Sequence, residues 1–260
     1  MLSWMTACPH PCPIPYTGQQ QPLMDRRHPM IELRPFDKLG RFRNDWLNAH
    51  YHFSFSGYHD PSRVNHGALR VWNDDEIQPR TGFPPHGHDS MEIITYVRKG
   101  AITHKDSLGN HGRTEAGDVQ VMSAGSGVQH SEWNAEDEVT ELFQLWIIPR
   151  TRGGTPSWGA RKFPKGDRSG QWAVFASGTG ENDALAINQD AKVLGATVKE
   201  GETLTYDIPK GRYGYLVVAD GEVTLNGQRL KTRDGAAISG GETITLEGVN
   251  SAELVLVDTV

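Results

Sequence analysis

Alternation of apolar and polar residues, rather than helical periodicity, dominates the chain from Met30 onward. Runs rich in β-branched and aromatic residues recur between Gly, Pro, Asn and Asp, which is typical of strands separated by turns. The clearest runs are 52–56, 68–72, 91–97, 119–122 and 139–148. Long amphipathic helical windows are absent, so the pattern predicts an all-β protein with only short helical turns, near 35–40 and 61–64.

The second half of the chain repeats the first in outline. The stretch Pro209-Lys210-Gly211-Arg212 resembles Pro85-His86-Gly87-His88, and a β-rich run follows each of them. An internal duplication of an all-β unit is the simplest account. No histidine follows His130, so only the first half can carry a histidine-based metal site. Lys210 and Arg212 are expected at the positions of two ligands that the second half has lost.

Residues 1–29 differ in composition from the rest of the chain. They hold six of the fifteen prolines and both cysteines, Cys8 and Cys12, without the basic start and apolar middle of a signal peptide. We expect a disordered tail there. The predicted segments are this tail at 1–29, an N-terminal metal-binding domain at 30–150, a linker or crossover at 151–170, and a C-terminal domain without a metal site at 171–260.

Charge and cysteine content narrow the expected partners and location. With 32 acidic and 26 basic residues the formal net charge is −6, which argues against a nucleic-acid partner. The sequence after Cys12 folds without an internal disulfide, as is typical of a reducing cytoplasm. No apolar run approaches the roughly 20 residues that a membrane-spanning helix needs. We therefore expect a cytoplasmic protein without a membrane or nucleic-acid partner.

Two short stretches place metal-capable side chains at i and i+2: His86 with His88, and His130 with Glu132. In a strand this spacing puts both side chains on one face. Two such strands facing each other would bring three imidazoles and one carboxylate to a divalent metal with open positions. Fe(II), Ni(II), Cu(II), Mn(II) and Zn(II) all accept this donor set. The alternative is that these are ordinary structural histidines, as most lone histidines in strands are.

Several neighbouring residues have open roles. Glu92, four residues after His88, is expected to hold an imidazole by a hydrogen bond, although a ligand or a buried base is the alternative. Gln144 either lines a cavity or makes a structural hydrogen bond, and His104 is expected to be solvated beside a turn. The residues that would floor an apolar pocket, unless they are ordinary core, are Phe53, Phe55, Phe83, Met122 and Trp133.

The chain resembles the pirin family of bicupins, especially its bacterial members described as quercetin 2,3-dioxygenases. The resemblance covers nearly all of 30–260 and leaves out the tail. It is carried by Gly-Phe-Pro-Pro-His-Gly-His at 82–88 with Met-Glu-Ile-Ile-Thr-Tyr-Val at 91–97. Further along it is carried by Gly117-Asp118 and by Val-Met-Ser-Ala-Gly-Ser-Gly-Val-Gln-His-Ser-Glu at 121–132.

The resemblance implies two cupin barrels, each a double-stranded β-helix or jelly roll, packed as a bicupin. It implies one divalent metal in the N-terminal barrel, bound by His86, His88, His130 and Glu132, with Fe(II) as the expected ion and Ni, Cu, Mn or Zn as alternatives. The general cupin pattern would take Glu92 as the fourth ligand. The pirin pattern takes the glutamate two residues after the last histidine, which is Glu132.

The implied reaction is that of a ring-cleaving oxygenase of the quercetinase type. Dioxygen would be inserted into a flavonol such as quercetin, opening the 2,3 bond and releasing carbon monoxide. The implied partners are a small aromatic or flavonoid substrate and dioxygen, with Glu132 or Glu92 as the carboxylate that takes the substrate's proton. Some pirins are regarded as transcriptional co-regulators, so the alternative is a non-enzymatic, redox-sensitive regulator that binds a protein partner.

Overall fold

The structure is a computed structural model that describes residues 30–181 and 183–260. The predicted tail, 1–29, lies outside the described residues. Twenty-two strands make up nearly all regular structure in the described part, and the two 3-10 helices there are Phe36–Lys38 and Lys165–Arg168. The predicted all-β class is confirmed. The strands of the first half are β1 Ile31–Arg34, β2 Gly40–Arg43, β3 Leu47–Tyr51, β4 Leu69–Ile77, β5 Thr81–His88, β6 Glu92–Lys99, β7 Ala101–Asp106, β8 His111–Glu115, β9 Val119–Ser123, β10 Val128–Asn134, β11 Thr140–Ile147 and β12 Ser157–Arg161.

The second half forms a barrel of its own. Its strands are β13 Ala173–Ser177, β14 Leu185–Ala186, β15 Ala191–Val198, β16 Thr203–Ile208, β17 Tyr213–Asp220, β18 Glu222–Leu225, β19 Gln228–Lys231, β20 Gly235–Ser239, β21 Glu242–Gly248 and β22 Ala252–Thr259.

Strand order reveals the duplication. The N-terminal barrel has a seven-stranded sheet, β12-β9-β6-β11-β4-β3-β2, and a four-stranded sheet, β5-β10-β7-β8. The C-terminal barrel has a seven-stranded sheet, β1-β20-β17-β22-β15-β13-β14, and a four-stranded sheet, β16-β21-β18-β19. Each position in one barrel therefore has a counterpart in the other, and β16 and β21 correspond to β5 and β10.

The edge strands beside β9 and β20 both lie outside the predicted bounds of the domains whose sheets they complete. Strand β1, within the predicted N-terminal segment, pairs with β20 of the C-terminal barrel, Ile31 opposite Ile238. Strand β12, within the predicted linker, pairs with β9 of the N-terminal barrel, Trp158 opposite Met122. Each barrel thus completes its large sheet with a strand that lies outside the predicted bounds of that domain, 30–150 or 171–260.

The large sheets of the two barrels pack against each other. Alternation along β11 explains why: Phe143 and Leu145 point into the shared apolar core, while the residues between them point into the N-terminal barrel. Trp72 and Tyr215, from opposite barrels, have ring centroids 5.5 Å apart in this core. The centre of the interface is therefore built largely from apolar and aromatic side chains.

One arginine of the C-terminal barrel, Arg233, forms ion pairs with the N-terminal barrel at the polar edge of the interface. Arg233 donates to Asp74 at 2.5 Å and to Glu76 at 2.7 Å, and its guanidinium lies 4.0 Å from the ring centroid of Phe36. Asp74 is fully buried and also accepts from Arg98 at 2.7 Å. These contacts fix the outward-facing side of β4.

The expectation that Lys210 and Arg212 occupy the positions of two lost ligands is wrong. Both lie in the turn between β16 and β17, whereas His86 and His88 lie within β5. Arg212 instead donates to Asp258 at 2.7 Å. The interior that corresponds to the metal-capable end of the first barrel is filled by apolar side chains, including Ile208 of β16 and Ile244 and Leu246 of β21.

Candidate metal centre

Three imidazoles converge where β5 and β10 pair. His86 lies opposite His130 in the antiparallel ladder, and His88 is two residues along the same strand as His86. The ring centroids are 4.5 Å apart for His86 and His130, and 5.0 Å for His88 and His130. One nitrogen from each ring lies within 4.8 Å of the others. The i, i+2 spacing and the strand register thus make a three-histidine group.

The environment favours the neutral forms of His88 and His130, and the neutral imidazole is the form that binds metal. Burial, together with the nearby His86, lowers the pKa of His88 to about 4. Burial, reinforced by the neighbouring imidazoles, lowers the pKa of His130 to about 3. Nε2 of His130 is buried and has no hydrogen-bond partner among the described residues. Such an orphaned nitrogen inside a cluster of imidazoles fits a ligand of a divalent metal.

Hydrogen bonds set the orientation of two rings. Nδ1 of His86 lies 2.8 Å from the carbonyl oxygen of Pro84, which can only accept, so Nδ1 carries the hydrogen and Nε2 is free. Nδ1 of His130 lies 3.5 Å from Nδ1 of His104. Nε2 of His104 in turn donates to Asp106 at 3.1 Å. This chain from carboxylate to imidazole to imidazole leaves Nε2 of His130 for a metal.

His104 was expected to be solvated, and that expectation is wrong. Its side chain is fully buried and stacks on Trp158 of β12, with ring centroids 4.9 Å apart and an interplanar angle of 8°. The available signal was its spacing from Asp106 and its alternation with the buried Ile102 along β7. The covering ring comes from the segment predicted as a linker, which explains why the burial could not be anticipated locally.

Glu132 follows on β10 and is held by three donors. Its carboxylate accepts from Gln144 at 2.5 Å, from Gln120 at 2.8 Å and from Thr95 at 3.2 Å. Burial raises the pKa of Glu132, while His104 and the hydrogen bonds act in the opposite direction. In the described part of the chain its carboxylate lies outside the 4.8 Å group of the three imidazoles. Gln144 thus makes the structural hydrogen bond that was one of its two expected roles.

The donors to Glu132 belong to a polar row across the large sheet. Direct cross-strand neighbours on five successive strands all carry polar side chains that face the barrel interior. The row, from β3 to β9, is Tyr51, Asn73, Gln144, Thr95 and Gln120. The carboxylate of Glu132, which extends from the opposite sheet, therefore accepts hydrogen bonds from amide and hydroxyl donors that the strand pairing holds in place.

Glu92 does not belong to this arrangement. Strand β5 ends at His88 and β6 begins at Glu92, so the two residues lie on different strands, and the expected hydrogen bond from Glu92 to an imidazole is wrong. Glu92 shares its strand face with Ile94, which packs between the barrels. Its carboxylate accepts from the Ser123 hydroxyl at 2.5 Å, and burial raises its pKa.

Known proteins are similar to this chain in sequence and in fold. The family described as Pirin matches residues 32–147, and the one described as Quercetinase C-terminal cupin domain matches residues 174–259. A pirin-like protein of Caulobacter vibrioides is 62% identical over 230 residues, which cover 88% of this chain and 99% of that protein. The chain belongs to the pirin family. Its recognition from the sequence motifs is confirmed.

Other pirin relatives carry more specific descriptions. A quercetin 2,3-dioxygenase of Escherichia coli is 36% identical over 230 residues, covering 88% of this chain and 98% of that protein. The crystal structure of a bacterial pirin from Escherichia coli in complex with nickel(II) superimposes with a TM-score of 0.84. The sequence of that pirin is 35% identical to this chain. The match covers 88% of this chain and 99% of the Escherichia coli chain. The predicted bicupin fold is confirmed by these matches.

A cavity of about 270 Å³ opens beside the histidines of this pirin. Of the residues expected to floor a pocket, Phe55 and Phe83 do line it. Phe53 belongs to the core between the barrels and Met122 to another buried cluster, while Trp133 is 43% exposed. The full lining is Leu47, Tyr51, Phe55, Asn73, Asp75, Phe83, Pro84, His86, His88, Glu132, Gln144 and Trp146.

Among the described residues of this pirin, no helix is both long enough and apolar enough to cross a membrane.

Proposed function

We propose that this pirin is a metal-dependent dioxygenase that opens the heterocycle of a flavonol such as quercetin. The observation that carries the proposal is the placement of His86 and His88 at the wall of a largely apolar cavity that also contains the buried carboxyl of Glu132. The description of the Escherichia coli relative as a quercetin 2,3-dioxygenase supports the reaction class. Dioxygen and a small aromatic molecule are then the partners.

The ligands in this proposal are His86, His88 and His130, with Glu132 as the fourth. Fe(II) is the expected ion, and the nickel(II) complex of the related pirin supports the view that a divalent ion suits this donor set. The bound ion would polarise the 3-hydroxyl of the flavonol and lower its pKa. Three imidazoles and one carboxylate together suit an ion that keeps positions open for substrate and dioxygen.

The chain's own residues bind the substrate, move one proton and exclude water. Glu132 accepts the proton of the 3-hydroxyl, and its burial favours this because it raises the pKa of the carboxyl. The donors Gln120 and Gln144 hold the carboxylate in place. Aromatic walls that include Phe83 and Trp146 pack against the flavonol rings and keep bulk water from the deprotonated substrate while it reacts with dioxygen.

The test is turnover with defined metals. Protein purified without oxygen is loaded separately with iron, nickel, copper or manganese and then mixed with quercetin and air. Oxygen uptake, loss of the flavonol absorbance and release of carbon monoxide in at least one form are expected. The His130→Ala variant is the matched control, since it should bind no stoichiometric metal and consume no oxygen. If no metal form consumes oxygen or yields a ring-opened product, the proposed function is refuted.

A further inference from the structure

We propose that Asp75 and Asn73 form a second polar subsite in the cavity, which binds a hydroxyl of a phenolic ligand and thereby selects polyhydroxylated substrates. The inference rests on the proposed function, because the subsite belongs to the same cavity as the histidines. It adds a specificity determinant that lies on a different sheet from the metal ligands: Asp75 and Asn73 are on β4, whereas the histidines are on β5 and β10.

Alternation along β4 separates two kinds of polar residue. Asp74 and Glu76 point outward, where Arg233 donates to both of them. Asn73 and Asp75 point to the opposite face and line the cavity. The outward pair is thus fully explained by the contact between the barrels, and the inward pair is not.

The inward pair has polar atoms without protein partners. Oδ1 of Asp75 and Oδ1 of Asn73 are both buried and accept no hydrogen bond from the described residues. The two residues are only 2% and 4% exposed. An unsatisfied buried polar group destabilises a fold by roughly 1–3 kcal/mol, so such groups in a cavity wall commonly have a functional reason. The pair thus has hydrogen-bonding capacity that the described residues leave unused, and a ligand hydroxyl can bond these side chains where they line the cavity.

The surroundings make Asp75 suited to a neutral hydroxyl rather than to a cation. Its cross-strand neighbours are Ala49 and Leu142, which leave the carboxyl among apolar groups. Burial, followed by the nearby carboxylates of Asp74 and Glu132, raises the pKa of Asp75 well above its usual range. A protonated carboxyl both donates and accepts, as a phenolic hydroxyl does.

The cavity wall therefore carries polar groups from both sheets, and Tyr51 and Gln144 lie beside Asn73 on the large sheet. The small sheet contributes the histidine group with Glu132, and the large sheet contributes the pair Asn73 and Asp75. A ligand that satisfies both the histidine group and this pair is a rigid aromatic molecule with at least two polar substituents. A polyhydroxylated flavonol has this chemistry, whereas 3-hydroxyflavone can satisfy only the histidine group with Glu132.

The experiment compares the binding of quercetin and of 3-hydroxyflavone without turnover. Each flavonol is titrated anaerobically into metal-loaded protein, and the Kd is read from the shift in flavonol absorbance. Asp75→Leu is expected to weaken quercetin roughly tenfold or more and to change 3-hydroxyflavone by less than about threefold, because only quercetin loses a hydrogen-bond partner. Asp75→Asn, which keeps a neutral donor and acceptor, should retain quercetin binding. Asp45→Leu, in an exposed turn of the same barrel, is the control.

Every outcome separates the hypotheses. Equal losses for the two flavonols, or no loss for either, would overturn the subsite and leave Asp75 a structural residue. A selective loss without oxygen uptake in any metal form would support the subsite and refute the dioxygenase. Failure of both flavonols to bind the wild-type protein would overturn both. Asn73→Leu should reproduce the selective loss, so a folding defect of a single variant does not decide the question.

Discussion

Replacing Gln144 by leucine tests whether the polar row positions Glu132 for metal binding. The Gln144 amide donates to Glu132 at 2.5 Å and accepts from the indole nitrogen of Trp146 at 3.1 Å. In Gln144→Leu the carboxylate keeps only the donors Thr95 and Gln120. We therefore expect the metal to bind more weakly, because the fourth ligand has lost one of the groups that hold it.

Two independent magnitudes agree on the size of the effect. A hydrogen bond to a charged group contributes roughly 1.5–3 kcal/mol, and each 1.4 kcal/mol is about tenfold in affinity. Loss of a hydrogen-bond partner of a metal ligand typically weakens metal binding about 10–100-fold. Gln144→Leu should therefore raise the Kd for nickel(II) by about one to two orders of magnitude.

The assay is a competition titration of metal-free protein against a chromophoric chelator. Gln78→Leu is the matched control, since Gln78 is exposed just beyond β4. In a Glu132→Ala background the Gln144→Leu change should have no further effect on the Kd. An unchanged Kd in folded Gln144→Leu protein would refute the reasoning. A loss that persists without Glu132 would assign the effect to Trp146.

Three further predictions concern stability and strand pairing. Burial, aided by nearby arginines, holds the pKa of His52 well below 6.5, so below pH 6.5 the unfolded chain binds a proton that the folded chain does not. Between pH 6.5 and 5.5, urea denaturation should therefore show a fall in the free energy of unfolding that is about 1 kcal/mol smaller in His52→Gln than in wild type; equal falls would contradict this. Arg233→Met should lower the free energy of unfolding by about 2 kcal/mol, because buried Asp74 keeps only one arginine; a loss below about 0.5 kcal/mol would contradict it. A methyl group on Gly82 would lie 2.2 Å from the carbonyl oxygen of Glu132, so Gly82→Ala should displace β10 and weaken nickel(II) binding in the same titration, and wild-type affinity would contradict this.

Local spacing predicted that His86 shares a strand face with His88, whereas the strand pairing that brings His130 to them is not local. Their roles as metal ligands stay predictions. His86 and His88 share a face by spacing alone, and the antiparallel register then brings His130 opposite His86. The role of Glu132 as a ligand stays a prediction. Its hydrogen-bond partners could not be foreseen, since Thr95, Gln120 and Gln144 meet it only through sheet pairings that are distant in sequence.

The length of strand β4 was underestimated from the sequence. The pattern predicted a strand at 68–72, whereas β4 runs over Leu69–Ile77. The run Asn73-Asp74-Asp75-Glu76 is typical of a turn, so its continuation as a buried strand depended on partners elsewhere. Those partners are the arginines that neutralise one face and the cavity that receives the other. Neither is visible from local composition.

The pairings of β1 with β20 and of β12 with β9 constrain the order in which the chain can be assembled during synthesis. The N-terminal barrel cannot close the edge beside β9 until residues 157–161 have left the ribosome. Strand β1, among the first to emerge, must wait for residues 235–239 before it finds its pairing partner. A chain cut near residue 150 would leave each fragment with an unpaired sheet edge prone to aggregation. We therefore expect the two barrels, although duplicated, to fold as a single cooperative unit.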